Sequence, residues 1–269
     1  MRKSVLSAAV AAALAVPTLV AAQTPAPAPT PAVTGNMALV SDYRFRGITQ
    51  TFEEPALQGG FDYAHASGVY LGNWNSNVSS GAGFPGGNLE MDFYGGWKKA
   101  FGDFGLDVGF IYYYYPGTDS GAGIPFSPAN NRTGAVHSGK VDNKEFYIGG
   151  TWKFLSLKYF HSIDDYFSVP GTKNTNYIDL SGTYDFGGGW GLVGHIGRLD
   201  FKDVTDASYT DWKLGVTKDL AGWVFGAAYV DTDAKGDCGS GQFYCFGNGT
   251  GKTKDAGKST VVLSVSKTF

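Results

Sequence analysis

The sequence lacks a basic block, and beyond its first 22 residues it also lacks any apolar run long enough for a membrane helix. Without clustered Lys and Arg there is nothing to neutralise a row of phosphates, so no nucleic-acid partner is expected. The longest apolar stretch after the leader, Phe110 to Tyr115, is short and aromatic, well under the roughly 20 residues a spanning helix needs. Charged residues make up only 17% of the chain, and the Ala/Glu/Lys/Leu patterns of long surface helices are missing. Cysteine is limited to Cys238 and Cys245, too few for a disulfide-dense fold, and no further metal ligands stand beside them in the segment. Asp231, Asp233 and Asp237 lie nearby without the regular spacing of a calcium loop, and the Gly-rich phrase Gly187–Gly191 lacks phosphate-binding spacing ahead of a helix. No metal or cofactor is therefore expected.

What is present begins with Arg2 and Lys3, followed by an apolar stretch from Val5 to Val20 and the small pair Ala21–Ala22. That pattern predicts a secretory signal peptide over residues 1–22, cleaved before Gln23. Residues 23–34 alternate Pro with small residues, which predicts an extended linker. Loss of Arg2 and Lys3 would move the formal net charge from -3 to about -5. An exported chain meets an oxidising compartment, so Cys238 and Cys245 are expected to clip one surface loop.

The remaining residues, 35–269, suit one large β domain. They hold all of the chain's 40 glycines and all of its aromatic residues, a composition that fits bent, closely packed strands with interfacial rings. Apolar and polar residues alternate with period two in several places. Phe146, Ile148, Trp152 and Phe154 share one face against Tyr147, Thr151 and Lys153. Ile178, Leu180, Tyr184 and Phe186 oppose Tyr177, Asp179, Ser181, Thr183 and Asp185. Reading every such segment gives about twelve strands, near 35–49, 55–65, 68–76, 89–100, 104–114, 143–154, 157–163, 175–186, 189–201, 209–219, 222–231 and 258–269. Short connections, at Ala66–Ser67, Phe101–Asp103, Leu155–Ser156, Gly187–Gly188 and Leu220–Ala221, alternate with long ones.

An even strand count with alternating short and long connections predicts an all-β, transmembrane, antiparallel up-and-down barrel in a bacterial outer membrane. Lipid is the expected partner of its apolar faces. The last strand ends in Phe269, which resembles the terminal aromatic by which barrel-insertion machinery recognises its clients; that machinery and periplasmic chaperones are the expected handling partners. Tyr112 to Tyr115 are placed at the membrane interface, where their hydroxyls stay wet. Both faces of 189–201 carry apolar residues, so its inward face is left open.

The charges expected to face the lumen are Asp42, Arg44 and Arg46 on the first strand, with Asp62, Glu90, Asp92, Lys98, Asp107, Glu145, Lys153, Asp179, Asp185, Asp211 and Lys213 elsewhere. The first three read either as a steering wall or as an ion-pair plug. Acids outnumber bases in this set, which favours small cations among the polar or ionic solutes a pore would pass. A plugged structural or ligand-binding barrel and a lipid-modifying enzyme are the alternatives. For the enzyme, His161 and Ser162 are adjacent in a strand and so point to opposite faces, which denies them a dyad. No catalytic residue is expected.

Several long phrases carry a family likeness. They are Ser41-Asp42-Tyr43-Arg44-Phe45-Arg46-Gly47, Pro55 through Val78, Gly102 through Gly109 running into Tyr114-Tyr115-Pro116-Gly117, and Leu155 to Phe167. In these the chain resembles the TorF porin family over nearly all of its length after the leader. The resemblance implies an outer-membrane barrel with a transport role and carries over no functional residues.

Overall fold

The computed structural model describes residues 32–84, 86–118, 141–248 and 251–269. Twelve strands form the wall: β1 (Ala32–Val40), β4 (Ala56–Ala64), β5 (Val69–Asn77), β6 (Leu89–Phe101), β7 (Phe104–Tyr114), β8 (Asp142–Trp152), β9 (Leu155–Ser162), β10 (Asn176–Gly187), β11 (Trp190–Asp200), β12 (Tyr209–Leu220), β13 (Trp223–Thr232) and β16 (Thr260–Thr268). Two short hairpins lie outside it, β2 (Arg44–Phe45) with β3 (Ile48–Thr49), and β14 (Cys245–Gly247) with β15 (Thr253–Asp255). Each wall strand pairs antiparallel with its neighbour in the chain, and β1 closes the ring by pairing with both β4 and β16. Closure leaves no open edge, and an unpaired backbone group in hydrocarbon costs several kcal/mol.

Alternation decides which face is which. On β16, Leu263 is 57% exposed while Ser264 and Ser266 are 8% and 2% exposed. The outward face is therefore the apolar one, the reverse of a water-soluble barrel and the arrangement lipid requires. Exposed rings gather near the short-turn end: Phe101, Phe104, Trp152, Phe186, Trp190 and Trp223. Lys267, which interrupts the apolar face of β16, lays its ammonium over the Trp223 ring, 4.8 Å from the centroid. That position suits a lysine whose stem is greasy and whose head reaches the interface.

Inside, the abundance of glycine and tyrosine has one cause. Tyr94 on β6 lies against Gly72 on β5, Tyr70 on β5 against Gly96, Tyr147 on β8 against Gly109, and Tyr177 on β10 against Gly197. A Cβ at any of these glycines would overlap the ring. Each pair sets a large inward side chain over a missing one, which lets rings lie flat along the wall.

Three boundaries differ from expectation. β1 begins at Ala32, inside the stretch expected to be linker, and stops at Val40 instead of running to residue 49. The β8–β9 turn falls at Lys153–Phe154, not Leu155–Ser156, because Lys153 adopts a left-handed conformation (φ 53°) without a glycine to mark it. On β11 the inward face is Val193, His195, Gly197 and Leu199. Its apolar character was ambiguous because Ile196 faces outward while Leu199 and the following Phe201 pack beneath the loops.

Cys238 and Cys245 form a disulfide that closes a seven-residue separation in the long β13–β16 connection. Mass spectrometry of unreduced peptides is expected to recover the two cysteines as one crosslinked species; free thiols in the purified protein would contradict it.

Candidate functional site

The site is the barrel interior, and its dominant feature is the segment 41–55. β1 ends, the chain bends at Ser41–Asp42, and the β2–β3 hairpin turns back through Arg46 (φ 49°) and Gly47 (φ 80°). Gly47 is required on two counts: its left-handed backbone, and the Thr232 and Asp211 side chains that any Cβ would strike. Gly47→Ala is thus expected to unseat the hairpin, read as faster proteolysis within 41–55 of the folded barrel; unchanged protection would contradict the seating described.

The hairpin spans the lumen. Tyr43 packs edge-on to Trp74 of β5, with centroids 5.4 Å apart, and donates to Glu90 of β6 at 3.2 Å. Phe45 meets Tyr113 of β7 edge-on. Arg46 forks onto Glu145 of β8, Nη1 to Oε1 at 3.0 Å and Nη2 to Oε2 at 2.7 Å. Tyr209 of β12 donates to the Arg46 carbonyl at 2.8 Å, and Thr49 N donates to the Ala256 carbonyl of the β15–β16 connection. The guanidinium is also ringed by Tyr177, Phe45 and Phe160, at 4.2, 4.8 and 5.1 Å. Burial pulls the Arg46 pKa down, the Glu145 carboxylate and nearby tyrosines pull it back up, and the net shift is upward. Burial and then Glu90 push the Tyr43 hydroxyl up, so it remains a donor.

Asp42, Arg44 and Arg46 therefore do not line a strand face, which corrects the expectation for all three. They sit in the hairpin at 5%, 6% and 4% exposure. Asp42 accepts from Arg44 Nε at 2.5 Å and from the Thr49 and Thr51 hydroxyls; Arg44 Nη1 donates to the carbonyls of Gly47, Ala256 and Lys258. The chain leaves the wall after Val40: Asp42 and Arg44 bond within the folded-in segment and to the connection leading into β16, and Arg46 alone of the three reaches across the lumen, to Glu145.

Other expected lumen charges form two sets. Towards the long loops, Glu90, Asp92, Glu145 and Asp211 are buried. Tyr115 donates to Glu90 at 2.9 Å, Tyr113 to Glu145 at 3.3 Å and Tyr177 to Asp211 at 2.9 Å. Tyr113 and Tyr115 are thus interior donors, not interfacial anchors; only the alternate Tyr112 and Tyr114 face out. Towards the short turns the wall is polar and part-exposed. Tyr94 donates to Asp62 at 2.6 Å, Asp107 accepts from Tyr70 at 2.6 Å and Lys158 at 2.8 Å, and Lys98 stands over the Tyr70 ring. The Tyr70 and Tyr147 hydroxyls share a hydrogen bond. Asp185 is exposed at this rim, capping Gly187 N. Lys153 is not in the lumen: it is exposed in the β8–β9 turn, over the Trp152 ring, because the turn comes two residues early.

Sequence reasoning missed Lys158 and His195. His195 Nδ1 lies 2.6 Å from Asp179 Oδ2 and Nε2 lies 2.9 Å from Asp211 Oδ1, so the ring stands between two carboxyl groups. Lys213 is within electrostatic reach of both carboxylates. The signal for His195 was its place opposite Lys213 and Ser181 in register, legible only once the inward face of β11 is known. His161 faces out, bonded to Asn176, while Ser162 is buried and donates to Asn143.

A family model described as "Bacterial protein of unknown function (Gcw_chp)" matches residues 23–269. The chain belongs to this family. Among curated proteins, none matches the Gcw_chp chain in sequence. Among solved structures, the Gcw_chp barrel is similar to a KdgM porin, at 9% identity over 88% of this chain and 99% of that one, with a TM-score of 0.50. A KdgM porin in complex with disordered oligogalacturonate matches at 7% identity, 88% and 99% coverage and TM-score 0.49. OccAB1 of Acinetobacter baumannii matches at 14%, 85% and 60%, and 0.45. At such identities the likeness concerns the fold of a porin-like transmembrane barrel.

Proposed function

We propose that this Gcw_chp protein is an outer-membrane porin for small polar or ionic solutes, held shut at its long-loop end by the 41–55 hairpin. One observation carries the reading: a polar, water-accessible wall at the short-turn end leads directly to a hairpin that hydrogen-bonds across the lumen. In this orientation the short turns, the start of β1 and Phe269 face the periplasm, the long loops face outward, and residues 1–31, outside the described residues, would supply signal and linker. The TorF likeness, whose phrases all fall within the family match, supports the same reading. Periplasmic chaperones and the insertion machinery would deliver the chain, with Phe269 as the terminal cue.

Twelve strands make a lumen between the side-chain-filled eight-stranded barrels and the wide channels of sixteen or more. In the vestibule Lys158 neutralises Asp107, which leaves Asp62 and the rim Asp185 against Lys98. Reversal potentials across a salt gradient in planar bilayers are therefore expected to show a mild cation preference, and clear anion preference would refute this charge assignment.

A second reading is a permanently plugged ligand-binding or structural barrel. It is favoured by the packing of the long-loop half, where Tyr113, Tyr115 and Leu199 are each 1% exposed. Such a barrel would stay electrically silent even when the hairpin is loosened.

A further inference from the structure

Beneath the long loops lies a cavity with about 630 Å³ of atom-free space, open mouth included. Nine of its sixteen lining residues are aromatic, and they arrive from separate places: Phe45 from the hairpin, Phe84 after β5, Tyr166 and Phe167 after β9, Phe201 after β11, and Phe243 from the disulfide-clipped loop. No stretch of sequence announces it, because convergence of the loops creates it.

Its tyrosine hydroxyls and the Gln50 amide N–H already have partners. The Tyr166 hydroxyl accepts from Arg46 Nη1 at 3.0 Å, Tyr209 donates to the Arg46 carbonyl, Tyr244 donates to the Ala207 carbonyl, and the Gln50 amide donates to the Ile48 carbonyl at 3.0 Å. Every lining tyrosine therefore turns its hydroxyl to a protein partner and its ring to the space. A water seated among these rings would find few polar partners, so the apolar lining favours an apolar occupant over ordered water.

The rings already pack edge to face around the space: Tyr166 with Phe167 at 4.7 Å and 87°, Tyr166 with Phe201 at 5.1 Å and 81°, and Phe201 with Phe243 at 5.4 Å and 72°. One more flat ring continues that pattern, which an acyl chain would not. Phe167 holds its position at a left-handed backbone (φ 43°), a conformation costly for a bulky residue. We infer that this cavity is a binding site for a small, uncharged aromatic compound, distinct from the polar path at the short-turn end.

The test is a titration of the full-length processed chain, refolded in detergent, with fluorobenzene observed by fluorine NMR. A bound resonance, resolved from micelle-dissolved probe and saturating at one per chain, is expected. Unlabelled benzene should displace it. 4-Fluorobenzoate, the same ring carrying a charge, should bind at least about tenfold more weakly, since its carboxylate would lose hydration against a mostly apolar lining. Ala82→Trp and Val169→Phe each place bulk in the cavity and should abolish the bound resonance while preserving heat-modifiable gel migration. The wild-type titration decides by itself: no saturable resonance, or equal binding of the benzoate, overturns the site. Persistence of the resonance in a folded, filled variant overturns its location.

Discussion

Arg46→Ala is expected to turn a mostly silent barrel into one that conducts in planar bilayers, with the open fraction rising at least about a hundredfold. The substitution removes both halves of the fork onto Glu145 and the cation held among Tyr177, Phe45 and Phe160. Glu145 is then left 1% exposed with its charge uncompensated. Removing one partner of a buried pair costs about 3–5 kcal/mol, and every 1.4 kcal/mol is tenfold in an equilibrium. The wall does not share this cost, because its backbone ladder is complete without the hairpin. The loss therefore falls on the seated state of the hairpin, not on the barrel. Arg46→Lys keeps the charge but not the planar fork and should fall between wild type and alanine. If Arg46→Ala folds, migrates as a barrel and remains silent, the hairpin is a permanent plug and the porin reading gives way.

The second large effect concerns the outer surface. Leu263→Arg, near the middle of β16, is expected to destabilise the folded barrel in lipid by about 2–4 kcal/mol, as a cation at the bilayer midplane does. The same residue changed to Val should cost about 1 kcal/mol or less, because a lipid-facing side chain fills no packed core. Denaturant titration in lipid vesicles reads both. Equal tolerance of Arg and Val at position 263 would mean that this face meets water.

The wall was legible because a strand that spans lipid must alternate, and several of its segments alternate strongly enough to be seen. The interior was harder. Asp42, Arg44 and Arg46 have the period of a strand face, yet the first two bond within a folded-in hairpin and the third bonds across the lumen, and sequence spacing holds no information about that. Lys153 was assigned to the lumen because no glycine marked its turn; the left-handed lysine is invisible to turn chemistry. β11 looked ambiguous because its lipid face and its loop-covered inner face are both apolar, and two different neighbours impose one composition. Tyr113 and Tyr115 were misplaced for a related reason. Alone, a buried hydroxyl looks too costly, but Glu145 and Glu90 two strands away or less supply the acceptors.

Site-directed spin labels placed one at a time from Val261 to Ser266 in the vesicle-inserted protein test the central claim most directly. Oxygen accessibility should be high at Val261, Leu263 and Val265 and low at Val262, Ser264 and Ser266, with a water-soluble nickel reagent unable to reach the first group. A flat profile, or nickel access at Leu263, would mean that acyl chains do not solvate the apolar face and that the barrel does not span the membrane as described.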